Sequence, residues 1–371
     1  MGANLIVNGK FLSAQMTGVH RVAYELTNQL ADLAAEGRFQ GAQLWLPHDG
    51  SSRQELIRMP SKVVGPLRGI PWEQVTLPVA ARGRMLLNLC NIAPVAATDA
   101  ITMIHDAQVH ITPESYSPPF AIWYRLTQPV IANRHRHLLT VSNYSRGQLA
   151  SAGVGDAADI SVILNGVDHV LRVDPDPDII ERLSLRPRQF VVALASTQTH
   201  KNIRVLLQAF ANRDLARFQL VLIGNDGTAF RHVPEVPTNT VFAGRVTDAE
   251  LRALYDNALC VAFPSTTEGF GLPPMEGMRV GCPAMVAPCG ALPEVCGDAA
   301  IYVDPHSPKA WADAILELSD DEREWMRRSR DGEAHASAFT WRRSAEQLLD
   351  VLQRLGVVET KRADDAPRLA A

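Results

Sequence analysis

The chain has 371 residues, 46% hydrophobic and 20% charged, enough for two domains of ordinary size with well-buried cores. Its 36 basic and 40 acidic residues leave a formal charge of -4, which gives no reason to expect a nucleic-acid partner. No stretch approaches the ~18 uninterrupted apolar residues of a spanning helix, so any membrane contact is peripheral. The N-terminus passes straight into Leu5-Ile6-Val7 without a basic region or a signal-length apolar run. The five cysteines, Cys90, Cys260, Cys282, Cys289 and Cys296, are odd in number and form no CxxC pair. A cytoplasmic chain with free thiols is the expectation.

In chain order, short apolar, β-branched runs alternate with longer amphipathic stretches. Strands are predicted at Leu5–Val7, Leu44–Leu46, Met85–Leu89, Ile101–Ile104, Leu138–Val141 and Ile160–Leu164. Asp174-Pro175-Asp176-Pro177-Asp178 then resists both helix and strand and reads as a solvated linker; spaced carboxylates can hold a divalent ion, but turns are where this composition belongs. The pattern restarts with strands at Phe190–Ala195, Leu220–Ile223, Val241-Phe242, Cys260–Phe263, Ala284–Ala287 and Ile301–Val303, and a helix over Ile203–Phe210. The prediction is two α/β halves across a cleft, residues 1–169 and 170–340, each a parallel sheet covered by helices. An amphipathic helix over 341–356 packs back on the first half, and 359–371 is a disordered tail.

The segment richest in chemistry is Cys260–Pro305. A strand ends at Phe263-Pro264-Ser265, a loop carries Glu268-Gly269-Phe270-Gly271, and Pro273-Pro274 opens a helix with Glu276 in its first turn. A bare glycine backbone followed by free N–H groups and the positive end of a helix dipole suits a diphosphate. Glu276 has two readings, a first-turn carboxylate placed by the dipole or one that accepts from two adjacent sugar hydroxyls; the pairing with Glu268 around the glycines favours the second.

With these residues in view, the segment resembles the signature of glycosyltransferase family 4, with its Glu-x7-Glu element. The resemblance implies a GT-B fold, two Rossmann-like domains facing each other across a cleft, and a retaining transfer from a nucleoside diphosphate sugar. By that resemblance Glu276 holds the nucleotide ribose, Glu268 lies at the reacting centre, and Phe270, Gly271 and Leu272 meet donor phosphates and sugar through their backbone. Gly277 stands where the family often has alanine, read as a minor change. Lys201 matches a lysine contacting donor phosphate, with His200 where an arginine is common; a second cation is therefore in question. Arg245-Val246, in Ala243-Gly244-Arg245-Val246, matches a loop contacting the base, and Gly18 the first-half loop that reaches over the donor.

Ile104-His105-Asp106 ends a strand at the cleft. His105 is either a satisfied structural histidine or an acid/base or orienting group, and the resemblance moves it toward contact with the transferred sugar; Asp106 orients it or the local loop. Catalytic roles are thus expected at Glu268, His105 and Lys201. Trp72-Glu73-Gln74 resembles a motif of subgroups that include mannosyl- and rhamnosyltransferases. Val141–Ser145, Asn165–Asp168 and Pro293-Glu294 read as architectural, and Arg134-His135-Arg136-His137 as either a solvated face or a lipid contact.

The reading that follows is a hexosyltransferase of bacterial surface polysaccharide synthesis, with GDP-mannose as the favoured donor and a glycan or lipid-linked oligosaccharide as acceptor. No cofactor and no metal are expected, since no DxD lies at a site-like position. The rivals are a UDP-sugar 2-epimerase of the same fold, against which EGFGLPPME argues, and a non-catalytic sugar-nucleotide-binding protein.

Overall fold

The computed structural model describes residues 4–196, 198–224 and 236–359. It contains two all-parallel sheets. The first has the order β3-β2-β1-β4-β5-β6-β7, from β1 (Leu5–Asn8), β2 (Ala42–Leu46), β3 (Ser61–Val63), β4 (Met85–Asn88), β5 (Ala100–Met103), β6 (His137–Thr140) and β7 (Ile160–Val162). The second runs β10-β9-β8-β11-β12-β13, from β8 (Phe190–Leu194), β9 (Gln219–Ile223), β10 (Thr240–Gly244), β11 (Cys260–Phe263), β12 (Ala284–Val286) and β13 (Ile301–Tyr302).

Central strands such as β1, β4 and β11 are buried throughout, which is why they read as continuous apolar runs rather than alternating ones. Each sheet is wrapped by helices that bury one stripe. Helix Gly18–Ala35 turns Val22, Ala23, Leu26, Leu30 and Leu33 inward, and helix Ile203–Phe210 buries six of its eight residues. Helix Trp341–Arg354 follows the second sheet in sequence yet packs on helix Gly18–Ala35, with Arg342 paired to Glu36. One apolar cluster runs from Leu5 and Leu26 through Trp341 and Leu348 to Phe263 and Met275, so the halves share a core.

Three sequence expectations need correction. Ser61–Val63 is an extra edge strand, too short and too exposed to leave a pattern. Asp178 does not end a linker but starts a short helix, Asp178–Arg182, with Pro177 as its cap. Helix Leu272–Arg279 begins one residue before the prolines because Gly271 takes the left-handed conformation at φ 101°; Glu276 is therefore its fifth residue, beyond the first turn. The tail expected over 359–371 lies, apart from Glu359, outside the described residues.

Candidate functional site

The chemistry-bearing residues gather where the carboxyl ends of the strands open, the usual place for ligands on parallel sheets. From the first half, the segment after β5 brings His105 and Asp106, the segment after β6 brings Ser142, and Gly18 starts a long helix. From the second half, Lys201 follows β8 and the Glu268–Gly271 loop follows β11.

Lys201 lies in a single 3-10 turn, Thr199–Lys201, stopped by Asn202 in the left-handed conformation. The Asn202 side chain donates to the carbonyls of Pro264 (3.2 Å) and Pro305 (2.7 Å), tying this turn to the end of β11. The result brings Lys201 Nζ to 2.7 Å from Glu268 Oε1, with the Phe263 ring below the ammonium. Asp106 is near enough to feel both charges; burial and Glu268 raise its carboxyl, and Lys201 lowers it. Its Oδ1 accepts from the Gln108 amide at 3.0 Å, so Asp106 orders its own loop rather than His105.

His105 is fixed elsewhere. Its Nε2 donates to the Leu89 carbonyl at 2.9 Å and its amide to Asn91 at 2.7 Å. Burial lowers its pKa to about 4, so the ring is neutral at physiological pH and is no general acid there. His200 is also neutral, pushed down to about 4 by burial and then by Lys201. It points across the cleft to Ser115 at 3.0 Å, and its Nε2 meets no hydrogen-bond partner among the described residues. No second cation accompanies Lys201 from this position.

The glycine loop is gripped by the opposite half. Ser142 Oγ donates to the Gly269 carbonyl at 2.7 Å, Ser145 Oγ to the same oxygen at 3.2 Å, and Gln108 Nε2 to the Thr267 carbonyl at 3.1 Å. A Cβ on Gly269 would sit 2.7 Å from the His105 carbonyl and 2.9 Å from Asp106 Cβ, so only glycine allows this approach. The side chain of Phe270 is buried edge-on to Phe339. Among the described residues no acceptor takes the amides of Phe270 and Gly271, whereas Pro273 and Pro274 have none to offer. Leu272 faces the first turn of helix Gly18–Ala35, where a Cβ on Gly18 would meet Leu272 Cδ1 at 3.5 Å. Thr17 provides no side-chain cap there, so two helix N-termini approach each other with amides available to an anion.

Arg245 and Val246 follow the edge strand β10, apart from the Lys201–Glu268 pair. Arg245 is exposed and Val246 half-buried against the core. Two residues on, Asp248 takes a bidentate pair from Arg21 at 2.7 and 2.6 Å, which draws this segment to helix Gly18–Ala35.

The presumed architectural motifs are more specific than expected. Glu294 accepts from the Asn143 amide (2.8 Å), the Asn143 side chain (2.8 Å) and the Tyr144 amide (2.9 Å), so a carboxylate of the second half caps a helix of the first. In Trp72-Glu73-Gln74, Glu73 binds Asn8 (3.0 Å) and Lys10 (2.6 Å), Trp72 donates to the Val64 carbonyl, and Gln74 brackets Ala93 and Val95. Arg134 to His137 form no common patch: His135 is buried on Thr102, His137 meets Ser161, and Arg136 meets the Leu355 carbonyl. A Cβ on Gly277 would lie 2.8 Å from Val261 Cγ1, so glycine at this position is matched to its neighbour and is no neutral exchange for alanine.

Sequence reasoning missed His169 and Trp341. The Trp341 indole donates to His169 Nδ1 at 3.0 Å, and His169 Nε2 lies 3.2 Å from Glu276 Oε1. Both are far from Glu276 in sequence and belong to no local motif.

Comparison with known proteins places the chain among glycosyltransferase-like sequences and folds. The family described as Glycosyl transferases group 1 matches residues 188–321. The chain is 27% identical over 230 residues to the O-antigen chain mannosyltransferase RfbU of Salmonella typhimurium, covering 61% of this chain and 62% of that protein. It is 35% identical over 213 residues to the D-inositol 3-phosphate glycosyltransferase of Corynebacterium glutamicum, covering 52% of this chain and 51% of that protein. These matches thus span between half and two thirds of either relative. In fold it is similar to Anabaena HepE in complex with UDP and glucose, with a TM-score of 0.74, 17% identity, and coverage of 95% of this chain and 100% of that one. The architecture is that of GT-B glycosyltransferases.

Proposed function

We propose that this chain, which carries a glycosyl transferases group 1 domain on a GT-B fold, transfers a hexose from a nucleoside diphosphate sugar to an acceptor hydroxyl with retention of configuration. The observation that supports this most is the convergence of Lys201, the Glu268–Gly271 loop and the uncapped N-terminus of helix Gly18–Ala35 on one cleft. The bond from the anomeric carbon to the diphosphate breaks as the acceptor oxygen bonds to the same face of that carbon. The acceptor proton passes to a leaving diphosphate oxygen. Lys201 and the amides near Gly271 meet the charge that develops on the diphosphate, among the larger catalytic terms available. Glu268 and neutral His105 hold the sugar as it gains oxocarbenium character, and Glu276 holds the ribose. The step runs without a metal or other cofactor.

The finer reading is GDP-mannose as donor and a glycan or lipid-linked acceptor in surface polysaccharide synthesis, in line with the mannosyltransferase relative. Helix Pro118–Arg134 exposes Ile122, Trp123, Leu126 and Val130 beside Arg125, a face suited to peripheral contact with an anionic membrane carrying such an acceptor. No helix among the described residues is long and apolar enough to cross a membrane.

The test is a thermal-shift screen against GDP, UDP, dTDP, ADP and their common sugars, without metal and then with Mg²⁺. Saturating ligand is expected to raise the melting temperature by several degrees, an effect lost in Glu276→Ala. Glu268→Ala should keep the shift and lose transfer. A protein that shifts with none of these nucleotides overturns the proposal.

A further inference from the structure

Glu276 occupies a helix position that the dipole does not favour, and among the described residues no lysine or arginine pairs with it. What holds it is a relay. Because the Trp341 indole N–H occupies His169 Nδ1, the ring proton sits on Nε2, which lies 3.2 Å from Glu276 Oε1. Trp341 is fully buried, and His169 and Glu276 are each 8% exposed. The Tyr255 phenol lies against the same carboxylate, and burial, then that carboxylate, pushes its pKa up.

The relay starts where the two interdomain connections cross. The Val167 amide donates to the Phe339 carbonyl at 2.9 Å, and Asp168 Oδ1 accepts the Trp341 amide at 2.7 Å. A Cβ on Gly166 would fall 2.1 Å from the Trp341 nitrogen. His169 therefore stands on backbone held by contacts on either side, and its side chain is the part that reaches the candidate donor site.

We infer that His169, oriented by Trp341, is a positioning residue for the nucleotide ribose: it occupies one oxygen of Glu276 and aims the other at the ribose hydroxyls. This rests on the reading of Glu276 given above. A neutral donor suits the task, since it orients the carboxylate without cancelling the charge that makes it a strong acceptor.

The test compares affinities of the intact protein for GDP against 2′-deoxy-GDP and for UDP against 2′-deoxy-UDP by calorimetry. Wild type is expected to favour the ribonucleotide of its preferred base by about tenfold or more, the scale of a hydrogen bond to a charged group. Glu276→Gln and His169→Leu should bring that ratio to within about twofold, while His169→Gln, whose amide N–H replaces Nε2–H, retains most of it. A loss of folding alone would not alter the ratio in the protein that remains folded. If wild type discriminates and His169→Leu discriminates equally, or if wild type binds without discriminating, the positioning role is overturned. If wild type binds neither nucleotide, it is the nucleotide-sugar reading itself that fails.

Discussion

Lys201 Nζ and Glu268 Oε1 stand 2.7 Å apart, joining the ends of β8 and β11, with the two side chains 19% and 8% exposed. Each compensates the other's charge in a sheltered place. Lys201→Met should leave Glu268 unpaired and cost about 1–3 kcal/mol of stability, and adding Glu268→Gln should restore most of that loss. Urea denaturation of the two single variants and the double variant measures this. All three should lose at least about 100-fold in transfer, because each lacks a group that meets developing charge.

Burial holds His105, His135 and His200 each at a pKa of about 4, well below the ordinary value of 6.5. In that interval the unfolded chain binds protons that the folded one refuses, so stability is complete above about pH 6.5 and falls as the pH drops toward 4. Each histidine contributes about 1.4 kcal/mol per pH unit within the window. His135 is held by Thr102 and the Pro94 carbonyl, away from the Lys201–Glu268 pair, so His135→Gln isolates the effect. Its melting temperature should fall less steeply than that of wild type between pH 6.5 and 4.5; parallel curves would refute the assignment.

What the sequence made legible was whatever rests on local pattern. Buried strands such as Val191 to Leu194 and Cys260 to Phe263 are apolar because both faces are covered, and they are read at once. Ser61–Val63 was not, since a three-residue edge strand buries too little to leave a signature. Glu268, Lys201 and the glycine loop were found through spacing and resemblance. Glu276 falls beyond the first turn by one residue, because the left-handed Gly271, and not the prolines, sets where the helix starts. Ser142 and Glu294 stood out in the sequence only as architectural positions, and His169 and Trp341 could not be found locally: the partners of all four lie across the fold, and only packing of the two halves brings them together.

Glu294 joins the halves with three hydrogen bonds to Asn143 and Tyr144. Removing them in Glu294→Ala should cost about 1 kcal/mol, the scale of a helix cap, because Ser142 still caps the same helix through the Ser145 amide. The larger effect should fall on domain closure. Small-angle scattering should show a greater radius of gyration for the variant, and the apparent donor KM should rise more than kcat falls.

Two glycines at the cleft separate geometry from composition. A Cβ on Gly269 would lie 2.7 Å from the His105 carbonyl, backbone that cannot give way without moving β5 or the glycine loop. Gly269→Ala should therefore hold the halves apart, destabilise by about 1–3 kcal/mol as overpacking does, and abolish transfer. A Cβ on Gly18 would meet only Leu272 Cδ1, at an ordinary 3.5 Å, and Gly18 carries no positive φ. Gly18→Ala should fold at least as well as wild type, since alanine is the better helix former. Its effect on donor affinity reports how closely an anion approaches the first turn of that helix. A weakening of about tenfold with unchanged stability would place the diphosphate against this backbone, and unchanged affinity would confine the anion to Lys201 and the Gly271 side of the cleft.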